Sequence, residues 1–580
     1  QTPRIGVFVC HCGINIGSVV DVKSVVALAR KLPNVVYAEE NLYSCSQDTQ
    51  EKIKGLIAEH KLNRVVVASC SPRTHEPLFQ ETIQEAGLNR YLFELANIRD
   101  QCSWVHQQDK AAATEKAKDL VRMAVARAGL IVPLKRLTLE LNPSALVIGG
   151  GIAGMVSALN LADQGFSVFL LEKEAELGGI ARSLYSTLEG ADVQEYLTSL
   201  IDRVERHPRI TVHTGAELQK VSGYVGSYIS TVALKGGKEP VEIRHGAAII
   251  ASGAQEFKPS EYGYGKDRRV LTQKELEAEL AKQSPRLKQA KNVVMIQCVG
   301  SRSEERPYCS RICCTKAVKN ALMLKERNPE VNVYILYRDM MTYGFKEDYY
   351  RKARDAGVVF IRYNLQNKPQ AGFVKGEHED RLMISARDPF LDARISIEAD
   401  LLVLSVATVP PESNKELGQL FKVPLSKEGF FLEAHVKLRP VDFATEGVFL
   451  CGMAHYPKHI EETIAQANAA GSRAGILLAR GKVEAEANIS VIDEKRCKGC
   501  GLCVAVCPYK AISLEDRNVR LESLALNARK ATINPASCKG CGSCAATCPV
   551  GAISPLHFTT EQIEAMIDQA AVKMETASNE

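Results

Sequence analysis

The chain has 580 residues, 46% of them hydrophobic and 24% charged, with a formal charge of +5 from 73 Lys and Arg against 68 Asp and Glu. This is globular composition, which excludes a disordered or fibrous protein, and at roughly 150 residues per domain the length predicts three or four domains. The basic excess is too small and too evenly spread for nucleic-acid binding by bulk charge. No segment reads as a membrane span. The opening QTPRIGVFVCHCG lacks the basic and then apolar run of a secretory leader. The eighteen cysteines therefore read as reduced thiolates held for metal rather than as disulfides, and the expected compartment is the cytoplasm.

Residues 4–110 alternate short apolar strands (Ile5–Val9, Val35–Ala38, Val65–Ala68, Tyr91–Leu95) with helical stretches, which predicts a parallel sheet with crossover helices. Cys10, Cys12, Cys45, Cys70 and Cys102 all fall at or just beyond the strand ends. Ligands of open parallel sheets gather at the carboxyl ends of the strands, so these thiols predict an iron–sulfur cluster with one cysteine to spare. Trp104, the single tryptophan, is expected to pack beside Cys102.

A buried strand at Ala145–Ile148 runs into Gly149-Gly150-Gly151-Ile152-Ala153-Gly154, then a helix, then a second strand, Ser167–Leu171, ending in Glu172. A glycine turn between strand and helix lets backbone approach a pyrophosphate, and an acid 23 residues beyond Gly149 suits a ribose hydroxyl pair. Further on, Glu172-Lys173 is followed by Gly178, Gly179 and Arg182, then by AIIASGA at 248–254 with Ser252 and Gly253. The closing segment 447–475 carries Cys451, Gly452 and Met453. Together these resemble the disulfide-reductase-like, or thioredoxin-reductase-like, flavoproteins, and the resemblance implies FAD across these residues.

Such flavoproteins carry a second glycine-rich fold for NADPH. Its strand is expected at Asn292–Gln297, but the following loop reads CVGSRSEERPYCSRICCTK. Cys298, Cys309, Cys313 and Cys314 stand where the pyrophosphate cradle would be, and four thiolates there suit a further cluster. A helix over 315–327 presents Lys316 and Lys319, which near a flavin would stabilise its reduced anion and are the expected catalytic groups.

The last eight cysteines show the strongest spacing. Cys497-x2-Cys500-x2-Cys503-x3-Cys507-Pro508 recurs 41 residues later as Cys538-x2-Cys541-x2-Cys544-x3-Cys548-Pro549. This resembles the bacterial ferredoxin with two [4Fe-4S] clusters, in which the fourth cysteine of each run crosses to the other cluster. The resemblance implies one cluster on Cys497, Cys500, Cys503 and Cys548 and another on Cys538, Cys541, Cys544 and Cys507.

CHCG at 10–13, ASCSPRTHEP at 68–77 and NIRDQCSWVH at 97–106, with the flavin segment, the 298–314 loop and the ferredoxin run in the same order, resemble the A-type subunits of heterodisulfide reductase. One departure is that Ala191–Leu287 has no cysteine, so an inserted ferredoxin module found in longer members is missing. The expected organisation is an α/β multidomain chain. It comprises an N-terminal α/β iron–sulfur domain at 1–131, a FAD domain with a cluster at 132–483, a ferredoxin domain at 484–556 and a helical tail at 557–580.

The resemblance implies FAD and four [4Fe-4S] clusters in a protein that splits electron pairs at a flavin, between ferredoxin and a higher-potential acceptor such as a heterodisulfide. The alternative is a relay feeding a quinone-linked or other reductase without splitting. Implied partners are B- and C-type subunits, ferredoxin, and a hydrogenase, formate dehydrogenase or NADH-oxidising protein acting through a small iron–sulfur protein. The assembly implied is a dimer of heteromers. The tail opens with Thr559-x-x-Gln562, a capping pattern, and is expected to pack on the ferredoxin segment or dock a partner.

Overall fold

The computed structural model describes residues 2–236, 239–374, 380–389, 392–485, 487–521 and 524–577. The chain divides into two compact units, Gln1–Leu139 with Glu484–Glu580, and Glu140–Val483.

In the first unit, β1 (Ile5–Cys10), β2 (Val35–Asn41), β3 (Arg64–Ser69) and β4 (Phe93–Asn97) form a parallel sheet in the order β2-β1-β3-β4. Every residue of β1 is buried because helices cover both faces of the sheet. Ile5, Val7 and Val9 pack with α1 (Val22–Ala29) and α4 (Lys110–Leu130). Phe8 packs with α2 (Gln47–Glu59) and α3 (Pro72–Glu85) on the other face. The fourth strand starts two residues later than its apolar run suggests. Tyr91 is drawn out of it by a turn at Asn89, and its hydroxyl accepts the Ala487 N–H at 3.0 Å.

The ferredoxin segment of the same unit has two copies of one loop, each ending in a short helix, Leu502–Val506 and Ser543–Thr547. Ser490–Ile492 pairs with Ile553–Pro555, and Ile512–Leu521 with Leu524–Ile533. Thr559 and Gln562 make the expected reciprocal cap. The helix they open, Thr560–Ala577, runs along α4 rather than along the ferredoxin loops. What decides its place is Arg127 on α4. Its guanidinium bonds Glu94 and the His557 carbonyl and lies 4.0 Å over the Phe558 ring.

The second unit holds two five-stranded parallel sheets. The first runs Val448–Leu450, Ala247–Ile250, Ser144–Ile148, Ser167–Leu171, Ile210–His213. The second runs Val270–Thr272, Leu401–Val406, Asn292–Val299, Asn332–Tyr337, Val359–Arg362. A three-stranded antiparallel sheet accompanies each. The strand expected at Asn292–Gln297 continues to Val299, with a register shift between Ile296 and Val299 that swings Cys298 out of the ladder. Among the described residues no helix is long and apolar enough to cross a membrane.

Candidate flavin and iron–sulfur centres

A cavity of about 600 Å³ opens at the carboxyl end of the first parallel sheet and reaches the second. Of the residues expected to bind a dinucleotide, Gly149, Gly151, Ile152, Ala153, Glu172, Lys173, Gly178, Gly179, Ser252, Gly253 and Met453 line it. Gly150 and Gly154 do not, but both shape the turn. A Cβ on Gly154 would lie 1.7 Å from the Gly149 carbonyl oxygen. A Cβ on Gly151 would meet nothing within 4 Å, so the backbone stands bare to the cavity. The Glu172 carboxylate accepts the N–H of Gly150 at 2.7 Å and of Glu174 at 2.8 Å, which fixes it while leaving lone pairs for hydroxyl donors.

Three further residues expected to bind the dinucleotide do not line the cavity. Arg182 is turned back onto the Leu177 carbonyl and Glu176, away from the cavity. Neither Cys451 nor Gly452 lines it. The Cys451 thiol is fully buried in the core against the Ala153 carbonyl, and burial pushes its pKa up to about 12.

Lys316 and Lys319 reach the far end of the cavity from helix Cys313–Arg327. Lys319 donates to Glu277 Oε1 at 2.6 Å and to the Ser186 carbonyl at 2.8 Å, while Lys316 stands 3.8 Å from Glu277 Oε2. Burial lowers the Lys319 pKa and Glu277 opposes that shift. Sequence reasoning missed both Glu277 and Lys458, a second buried lysine lining the cavity, because neither lies in a recognisable motif.

The structure offers what FAD requires. The cavity is lined by bare glycine backbone, an oriented carboxylate and the N-terminus of helix Ile460–Leu478. At the other end Thr315 Oγ1 and Ser405 Oγ are buried without partners on residues that line it, as a ring edge bearing carbonyl and N–H groups would satisfy.

The 298–314 cysteines share one corner. Cys298, Arg302 and Arg311 all take positive φ (62°, 55° and 61°), coiling the loop back on itself. Cys298 feels the charge of Cys314 and Cys309, and burial pushes it up to about 11. Cys313 and Cys314 are buried; their mutual hydrogen bond raises the first and lowers the second. The Arg311 N–H points at Cys309 Sγ, 3.3 Å away. Cys313 itself lines the cavity, which puts this thiol group against the cofactor space.

At the N-terminal sheet the five thiols separate. Cys45 feels Cys10 and Cys12, and Cys70 feels Cys10 and Cys45, with Arg99 lowering both pKa values against the larger effect of burial. Cys102 has no such neighbour. It points inward, donating to the Ala113 carbonyl at 3.0 Å in the helix core, and burial pushes it up to about 11. Trp104 does not pack on it; the ring is half exposed under the Arg99 guanidinium, 4.8 Å away.

The ferredoxin loops repeat one geometry. Gly501 and Gly542 cap the short helices at φ 80° and 78°. Gly499 and Gly540 press so close to the Arg529 and Asn488 carbonyls that a Cβ would stand 2.1 Å away. Ala511 and Ala552 N–H groups point at Cys507 and Cys548 Sγ, 3.3 Å each. Cys507 lines one small cavity together with Cys538, Cys541 and Cys544, so the fourth cysteine of the first run stands beside the second run. Among the described residues no three Cys, His, Asp or Glu side chains gather as a single metal ion would need. What the loops offer a cluster is all-thiol donor chemistry with backbone N–H groups aimed at sulfur.

Residues 496–552 match the 4Fe-4S dicluster domain and 147–211 an NAD(P)-binding Rossmann-like domain. The chain is 39% identical to an A-type iron-sulfur subunit of the CoB–CoM heterodisulfide reductase of Methanopyrus kandleri, over 90% of this chain and 92% of that protein. It is 38% identical to the A-type subunit of the H2:CoB–CoM heterodisulfide,ferredoxin reductase of Methanothermobacter thermautotrophicus, over 98% of each. That alignment spans 662 positions against 580 residues here, so the relative carries residues this chain lacks. Thioredoxin reductase of T. acidophilum superposes on 58% of the chain and 97% of its own, with a TM-score of 0.40 and 17% identity.

Proposed function

Because the chain belongs to the family of heterodisulfide reductase A-type subunits, which are oxidoreductases, we propose that it holds FAD and four [4Fe-4S] clusters and splits electron pairs between two acceptors. Bound FAD would supply the exchange between two-electron and one-electron chemistry, one electron passing to a higher-potential acceptor such as a heterodisulfide and the other to ferredoxin. The chain's own residues position that exchange. Gly149–Gly154 and Glu172 hold the dinucleotide, Lys316 and Lys319 set positive charge at the far end of the cavity, and Cys313 brings a thiolate-bound centre to its wall.

The observation that carries the reading is Cys313: one residue belongs both to the four-cysteine corner and to the cavity lining. The N-terminal group (Cys10, Cys12, Cys45, Cys70) and the two ferredoxin clusters supply the remaining one-electron centres. B- and C-type subunits and a hydrogen-, formate- or NADH-oxidising protein would complete the route. The Methanothermobacter relative is named for hydrogen, a heterodisulfide and ferredoxin together.

Anaerobic protein should contain one FAD and about sixteen iron atoms per chain. Near eight iron atoms would leave only the ferredoxin clusters and overturn the count. A redox titration of the bound flavin then separates the mechanisms. Electron splitting requires that the second electron enter more readily than the first; two ordered one-electron couples would make the chain a relay.

A further inference from the structure

Lys458 follows the short turn Gly452–Ala454 and precedes helix Ile460–Leu478, and it is buried on the wall of the cofactor cavity. Its Nζ donates to the Gly452 carbonyl at 2.7 Å and to Gln466 Oε1 at 2.6 Å. The chain of bonds continues outward. Gln466 Nε2 donates to His455 Nδ1 at 2.8 Å, which leaves the His455 proton on Nε2, 2.7 Å from Glu433 Oε2. Glu433 is partly buried. The Tyr456 ring covers the ammonium at 3.9 Å.

What Lys458 lacks is a counter-ion. Lys319, which lines the same cavity, has Glu277 at 2.6 Å, whereas among the described residues no carboxylate stands within ion-pair distance of Lys458. The charged and titratable groups facing it act from further off: Cys451, Glu462 and Glu433 favour its charge and Arg311 opposes it. A buried ammonium paired only with neutral oxygens is costly unless an anion is brought to it.

We infer that Lys458 exchanges a proton in step with the charge of the bound flavin, a second role in the cavity separate from that of the paired Lys316 and Lys319. The inference rests on reading the cavity as the FAD site. A two-electron reductant that delivers two electrons and one proton to the ring leaves one negative charge there. Lys458 then takes one further proton from solvent, so that two electrons enter with two protons and the cavity gains no net charge. Reoxidation returns that proton. Gln466 and His455 are positioning residues: they hold the amine with its lone pair available and fix the imidazole tautomer. Burial brings Lys458 down to about 7, so it is divided between its two forms at neutral pH.

The test is proton uptake by the anaerobic FAD-loaded holoprotein on full reduction, read with a pH indicator in weakly buffered solution. Cluster reduction contributes equally to wild type and variant and cancels in the difference. At pH 8 wild type should take up nearly one proton more per FAD than Lys458→Met. At pH 6, where the amine is already charged, the difference should fall to about a tenth. Lys458→Arg, permanently charged, should bind FAD and show the same loss, and it decides the matter if the methionine variant releases the cofactor. Equal uptake by wild type and variant at pH 8, or a difference between them that is flat from pH 6 to pH 8, overturns the proposal. Wild-type protein that holds no FAD at all would instead overturn the flavin reading of the cavity.

Discussion

The ammonium of Lys319 lies 2.6 Å from Glu277 Oε1, and both side chains are shut off from solvent. The same carboxylate oxygen accepts the Tyr185 N–H at 2.8 Å, and Lys319 also donates to the Ser186 carbonyl. One ion pair thus ties the helix that follows the cluster loop to the loop that closes the cofactor cavity.

Breaking that pair from one side strands a charge. Glu277→Ala should destabilise the second unit by about 3–5 kcal/mol. Glu277→Ala combined with Lys319→Ala should recover part of the loss, because the buried Lys319 charge goes with its partner while Lys316, 3.8 Å from Glu277 Oε2, still loses its own. Thermal or denaturant unfolding of Glu277→Ala, Lys319→Ala and the double variant completes the cycle, and strictly additive losses would show that the two residues do not act as a pair.

Two glycines of the dinucleotide turn should both weaken FAD binding when replaced, but only one of them should cost stability. Gly154→Ala drives a Cβ into the Gly149 carbonyl and should lose both FAD and several degrees of thermal stability. Gly151 has extended ψ, ordinary φ and open space before it, so Gly151→Ala should fold normally while lowering FAD affinity at least tenfold. Flavin content and melting temperature, measured side by side, check both.

Cysteine replacement should sort the N-terminal thiols. Cys70→Ala should lower the iron content by about four atoms per chain. Cys102→Ala should leave iron unchanged and cost about 1–2 kcal/mol from the small cavity it opens against α4. Iron loss in the Cys102 variant would return that residue to the ligand set.

His245 supplies a pH dependence. Its Nε2 meets Ser230 Oγ at 2.9 Å and its Nδ1 the Ala247 carbonyl at 2.8 Å, and burial lowers its pKa to about 4. The unfolded chain binds a proton near pH 6.5 that the folded one refuses until about pH 4. This contribution is present in full above pH 6.5 and is lost as pH falls, to an extent of about 3 kcal/mol by pH 4. His245→Gln should flatten the stability profile over that window, and an unchanged acid limb would show that other groups govern it.

Spacing in the chain was enough to mark the ferredoxin runs, the glycine turn and the cysteines at strand ends. Each depends on a loop or one strand–turn–helix unit, whose geometry is local. The apolar run of β1 likewise announced a strand covered on both faces. Which of five thiols turns inward could not be read, since the place of Cys102 is set only by the packing of α4 against the sheet. Arg182 carried the right motif yet is held back by Leu177 and Glu176. The tail's cap was legible, whereas its partner is set by Arg127, more than four hundred residues earlier. Glu277 and Lys458 carry no motif at all. A buried charge acquires its meaning from desolvation and from the presence or absence of a partner across the fold, and those are properties of the packed chain alone.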